Sequence, residues 1–164
     1  MRLKVPQFVR AGLLTAVIDG VFSSVLSRFF YGSTVTRLWQ QVASVLLGPD
    51  AIDSGRRAAA IGLAMHLSVA FTWTLVFLVL LKLAPIRRAV SSNAGIVGVA
   101  AVFGPIIWMT MSLVLIPALT GRPPSITSRW WIQFFGHIPF VAMPIVATLA
   151  PHEADLHAHH HTTD

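Results

Sequence analysis

Three ionisable side chains, Asp19, His66 and His137, stand inside otherwise apolar stretches of the chain. An imidazole can ligate a metal or exchange a proton near neutral pH, and a carboxyl group can take part in either task. Hydrocarbon makes such groups costly, so inside a membrane they face protein or water and often carry function. His66 lies nine residues past Arg57 and His137 eight past Arg129. On parallel helices both imidazoles would then sit about 12–14 Å inside the same membrane face. Asp19 is nine residues from Arg10 and nine from Arg28, so it is at mid-depth whichever way its helix runs.

Such a set could bind a metal such as Zn²⁺ with His66, His137 and Asp19 as ligands, hold haem iron through both imidazoles, or pass protons. Haem ranks last, because the spans hold no second histidine pair. The plainer expectation is that each imidazole hydrogen-bonds a backbone carbonyl freed by a nearby proline and staples the helices together. One observable separates these readings: whether the three side chains meet in one cavity or lie apart on their nearest carbonyls.

The elements that must position them are membrane helices. Residues 58–81 carry no formal charge and are bracketed by Arg56, Arg57 and Lys82. A helix of that length is about 36 Å long, enough to cross a hydrocarbon core of about 30 Å. Four spans are predicted in all, at about residues 8–30, 57–83, 92–119 and 128–150. In the first, Gly12, Ala16 and Gly20 form a ridge of small residues beside Asp19, of the kind that lets two helices approach closely. The second carries two such stripes, Ala60-Ala64-Ser68-Thr72 and Gly62-His66-Ala70-Thr74, and periodicity alone does not choose between them. The third contains Gly104-Pro105, where a bend is expected, and Pro117, read as a break. In the fourth, Arg129-Trp130-Trp131 marks the water–lipid boundary, and Pro139 and Pro144 kink the helix.

Residues 34–47 are too few to span. Val35, Leu38, Trp39, Val42, Val45 and Leu46 repeat at helical spacing, and Arg37, Gln40, Gln41 and Ser44 fall on the other side. This pattern predicts a short helix in the interface or folded against the rim of the bundle, capped by Ser33 or Thr34 and stopped at Gly48-Pro49. Asp53 or Ser54 is placed to cap the second span, and residues 84–88 read as a short basic turn. The tail, residues 151–164, is polar and rich in histidine and reads as disordered. The fold class is therefore an all-α integral membrane four-helix bundle with one additional short interfacial helix.

Composition supports this and excludes much else. The chain is 55% hydrophobic and 11% charged, whereas soluble domains are about 25% charged. Its net charge of +6 comes from arginines and lysines that flank the apolar runs, where they anchor to lipid head groups rather than to nucleic acid. Without cysteine there are no disulfides, thiolate metal sites or thiol catalysis. No Gly-rich phosphate loop, Ser–His–Asp set or acidic pair is present, so the protein is read as no enzyme. The twelve Lys and Arg split six against six between the two sides of the membrane. The basic start, Arg2 and Lys4, tips the orientation towards both termini in the cytoplasm.

Three stretches resemble a group of small bacterial inner-membrane proteins, distantly similar to the YagU-like four-helix proteins. They are 41–48 running into 60–66; Trp108-Met109 with Leu115-Ile116-Pro117; and Phe135-Gly136-His137 with Pro144-Ile145. The resemblance covers residues 9–150 and implies four helices in the cell inner membrane, multi-pass, with no activity to carry over. The resulting expectation is an interaction or support component of that membrane, with the lipid bilayer and a membrane-protein partner or second copy as its partners. The alternative is a proton- or metal-handling protein, such as a small transporter or haem binder, using Asp19, His66 and His137. The sequence names no cofactor.

Overall fold

The structure, a computed structural model, describes residues 5–150. The histidine-rich tail and the basic start at Arg2 and Lys4 lie outside the described residues. Four helices are long and apolar enough to cross a membrane: α1 (Val5–Phe30), α3 (Gly55–Leu80), α5 (Asn93–Thr120) and α6 (Ser128–Leu149). Two shorter helices, α2 (Val35–Leu47) and α4 (Ala84–Ala89), join them. The described residues thus form six helices, not four plus one. The segment expected as a basic turn coils into α4 because Pro85 sits in its first turn, where a missing N–H breaks no helical bond.

Small residues set how closely the spans pack. On α1 the buried positions are Ala11, Gly12, Thr15, Ala16 and Gly20, the expected ridge. On α3, Gly62, Ala70 and Thr74 are buried and His66 on the same stripe is half-buried, whereas Ala60, Ala64, Ser68 and Thr72 are exposed on the outer face. The choice that periodicity left open thus falls to the stripe that carries His66. Towards the ends of the spans near the chain termini, the bundle is a solid apolar core in which Phe77, Leu81, Val90, Ile145 and Val146 are fully buried.

The prolines do not break the spans. Wide π-turns occur at Leu26–Phe30, Thr110–Leu115 and Ile138–Ala142. In the second, the Ile116 N–H reaches the Met111 carbonyl; in the third, the Met143 N–H reaches that of Ile138. Such turns re-satisfy carbonyls near a residue that lacks an N–H. Pro117, expected to end the third span, therefore lies inside α5, which runs on to Thr120 and closes with Gly121 N–H on the Pro117 carbonyl at 2.8 Å. Helical structure is likewise continuous through Pro105, from Asn93 to Met109.

α2 takes the second of its two expected positions and folds along the start of α3. Its Thr34 cap forms, with Oγ1 accepting from the Arg37 N–H at 3.1 Å, and Gly48 ends it as expected. Gln40, read as water-facing, is instead buried and donates from Nε2 to the Gly55 carbonyl at 3.1 Å. A carbonyl has two lone pairs, and the one left over at the start of α3 attracts the amide inward. The cap expected of Asp53 or Ser54 on α3 does not form. The Ser54 hydroxyl bonds the Asp50 carbonyl at 2.7 Å, and Asp53 pairs loosely with Arg37 at 3.8 Å on the surface.

The α2–α3 crossing is closest at Gly62, where a Cβ would overlap the Trp39 carbonyl. Gly62→Ala is expected to destabilise the fold by about 1–3 kcal/mol and to free a cysteine placed at Gln40 for labelling by a water-soluble maleimide. Gly98→Ala, which points into open space, should be neutral or stabilising by up to about 1 kcal/mol. Thermal unfolding in detergent reads both; equal shifts would count against the tight crossing.

Candidate functional site

α1, α2, α3, α5 and α6 leave a cavity of about 470 Å³ between them. α1 contributes Thr15 and Asp19, α3 His66, and α6 Gln133 and His137, with Trp108 of α5 beside them. α2 closes one wall with Leu38, Gln41, Val42 and Val45. The rest is apolar, including Val69, Met111 and Ile116. All three residues singled out from sequence thus line one space.

Their hydrogen bonds define proton positions. His66 Nε2 lies 3.0 Å from the Ala16 carbonyl oxygen, which can only accept, so Nε2 carries a hydrogen. The other nitrogen, Nδ1, faces Asp19 Oδ2 at 3.8 Å. For this second contact to attract, one proton must lie on the pair, either as an imidazolium or as a carboxylic acid. His137 Nδ1 donates to the carbonyl of Gln133, one turn earlier on its own helix, at 2.7 Å. That leaves Nε2 as the free nitrogen of the ring.

Packing holds both rings. His66 lies against Trp39 with ring centroids 5.1 Å apart, and His137 against Trp108 at 4.8 Å. A Cβ at Gly104 would meet the His137 backbone at 2.7 Å, so α5 and α6 touch at the level of that imidazole. The staple expectation is met in part: both imidazoles bond backbone carbonyls, but neither carbonyl is freed by a proline, since the residues four on from Ala16 and Gln133 are Gly20 and His137. The His66 bond joins two spans, whereas the His137 bond stays within one. The donors do not converge as a metal needs; among the described residues no three His or carboxylate side chains are grouped to hold an ion.

Three polar atoms on this wall are buried without a partner: Thr15 Oγ1, Asp19 Oδ1 and Trp108 Nε1. Buried polar groups are satisfied in the great majority of cases, so three orphans on residues of one cavity set this wall apart. Sequence reading passed over Thr15, Gln133 and Trp108. The first two carried a signal, since each stands four residues before a singled-out residue and so on the same helical face. Trp108 carried none beyond its type.

The cavity adjoins a wider vestibule of about 560 Å³ that shares Gln41, Val45, Trp108, Ile116 and Gln133 with it. Arg122, Arg129 and Tyr31 line this outer space. The Arg129 guanidinium lies 4.3 Å from the centre of the Tyr31 ring, a cation–π contact. Burial raises the Tyr31 phenol above its ordinary value and the Arg129 charge works against that rise; the hydroxyl stays protonated.

No family model, curated protein or solved structure matches this chain, and nothing ties it to the YagU-like proteins or to a bacterial family. It is a multi-span, membrane-embedded helical bundle with a polar-lined cavity.

Proposed function

We propose that this protein is a non-enzymatic, proton-linked binding protein of the inner membrane, with both termini cytoplasmic. Asp19, His66 and His137 take up and release a proton inside a cavity that opens through the vestibule. The observation that carries this reading is their presence on one cavity wall, with the Asp19–His66 contact at 3.8 Å. That pair can exist in states differing by one proton, and in hydrocarbon the two states differ strongly in their attraction for a polar ligand. A second reading, a support protein stapled by its imidazoles, rests on the two backbone hydrogen bonds of His66 and His137.

Proton uptake decides the first point. With the protein in lipid nanodiscs, infrared difference spectra between about pH 5 and 8, where histidines titrate, should show a carboxyl or imidazole signal that Asp19→Asn removes. Identical spectra and identical proton uptake in the variant would sink the proton-linked reading.

A double-mutant cycle separates it from stapling. His66→Ala should cost about 0.6–2 kcal/mol, as interhelical polar bonds in membranes do, and His137→Ala less, because its bond is local. If the two residues act on one proton or ligand, loss of both should depart from additivity by about 0.5–3 kcal/mol. Strict additivity in thermal unfolding favours the support reading.

A further inference from the structure

Resting on the proton-linked reading, we infer that the cavity binds a lipophilic monocarboxylic acid together with one proton, admitted past Arg122 and Arg129. The vestibule wall contains these two arginines and no carboxylate. Among the described residues neither forms an ion pair, since the pairs present are Arg37–Asp53 and His66–Asp19. A cationic mouth with low-dielectric walls concentrates anions and repels ammonium groups. Gln41, Trp108 and Gln133 belong to both spaces, so a molecule drawn to the mouth meets the cavity wall next.

Inside, the unpartnered groups select the same chemistry. An indole N–H can only donate, and the Thr15 hydroxyl can do so too. Trp108 Nε1 and Thr15 Oγ1 are covered and without partners in the ligand-free protein, on residues that line the cavity, and a side-chain rotation would turn them to acceptor oxygens on the ligand. A carboxyl group offers two. Asp19 Oδ1, also unpartnered, is a carboxyl oxygen itself. Two carboxyl groups brought together in a site of low polarity cannot both be ionised, and they share one proton. Binding of the anion to the pair in its proton-free state therefore takes one proton from water, whereas a pair that already holds its proton shares that one; no covalent bond forms or breaks.

The charged groups around that proton are few. α1 supplies Asp19, α3 His66 and α6 His137, while α2 and α5 present no charged side chain to the cavity. Val42, Val45, Met111 and Ile116 make the remaining wall apolar, suited to a hydrocarbon tail. The volume of about 470 Å³ lies within the roughly 300–1,000 Å³ typical of small-molecule sites.

The test uses the full chain in nanodiscs with decanoate, decanol and decylammonium as probes, and empty nanodiscs to subtract partitioning into lipid. Titration calorimetry in two buffers of different ionisation heat, at a pH above that at which the ligand-free protein gives up its proton, counts protons. Saturable decanoate binding with uptake of one proton, stronger than that of decanol or decylammonium, is the expected result. Arg122→Gln with Arg129→Gln should slow association and flatten its salt dependence. Trp108→Phe, which keeps the ring beside His137, should weaken decanoate by about tenfold, the loss of one hydrogen bond. Decylammonium binding as well as decanoate, decanoate binding without proton uptake, or no saturable binding each overturns the inference. The ligand-free comparison of wild type with Asp19→Asn shows which idea failed: if that proton signal stands, only the ligand class is wrong.

Discussion

Hydrocarbon offers no hydrogen bonds, and every polar group carried into it must find a partner within the protein. This constraint organises the spans. Hydroxyls bond the carbonyl one turn back in their own helix, as Ser68 does to Ala64, Thr72 to Ser68, Thr74 to Ala70 and Thr120 to Ile116. The Ser112 hydroxyl does the same to Trp108 and also accepts from the Trp130 indole. Wide turns bring N–H groups to carbonyls near the prolines, and His66 reaches across to Ala16. Against this background the unsatisfied Thr15, Asp19 and Trp108 stand out by sharing one cavity. The rule that makes the bundle compact is left incomplete along this wall.

The two ends of the bundle divide the work. Near the chain termini, Phe77, Leu81, Ile145 and Val146 fill the interior. At the other end the helices stand apart and α2 occupies part of the gap. α2 is amphipathic and too short to span, so its apolar side needs a protein surface. Ala43 and Trp39 meet α3 at Gly62, and the next apolar positions, Leu38, Val42 and Val45, face the cavity. One short helix therefore seals the bundle rim and lines the site with a single apolar face.

Much of this was legible in the chain. The four spans follow from length and lack of charge, and the Gly12-Ala16-Gly20 ridge follows from small-residue spacing. Asp19, His66 and His137 announced themselves as ionisable residues in apolar runs. What stayed hidden depends on partners distant in sequence. The choice of stripe on α3 was settled by α1 and α2 packing on the His66 side. Gln40 turned inward because a carbonyl 15 residues away had a spare lone pair. Proline 117 read as a stop because proline forbids an ordinary helical bond, and nothing local reveals that a wider turn will supply another.

The wide turn at Thr110–Leu115 has a geometric consequence for the cavity. A regular helix turns about 100° per residue, so residues eight apart, such as Trp108 and Ile116, would point about 80° from one another. A π-turn absorbs one extra residue and subtracts about one residue's rotation, which brings the two within about 20°. Both do line the cavity. The turn thus acts as a phase correction that lets one helix present a continuous strip from the vestibule to the level of the imidazoles. Removing a single residue there would restore regular hydrogen bonding in α5 and keep everything after it, including the stretch leading to Arg122, in phase with the site, whereas inserting one into a regular stretch would swing it by about 100°.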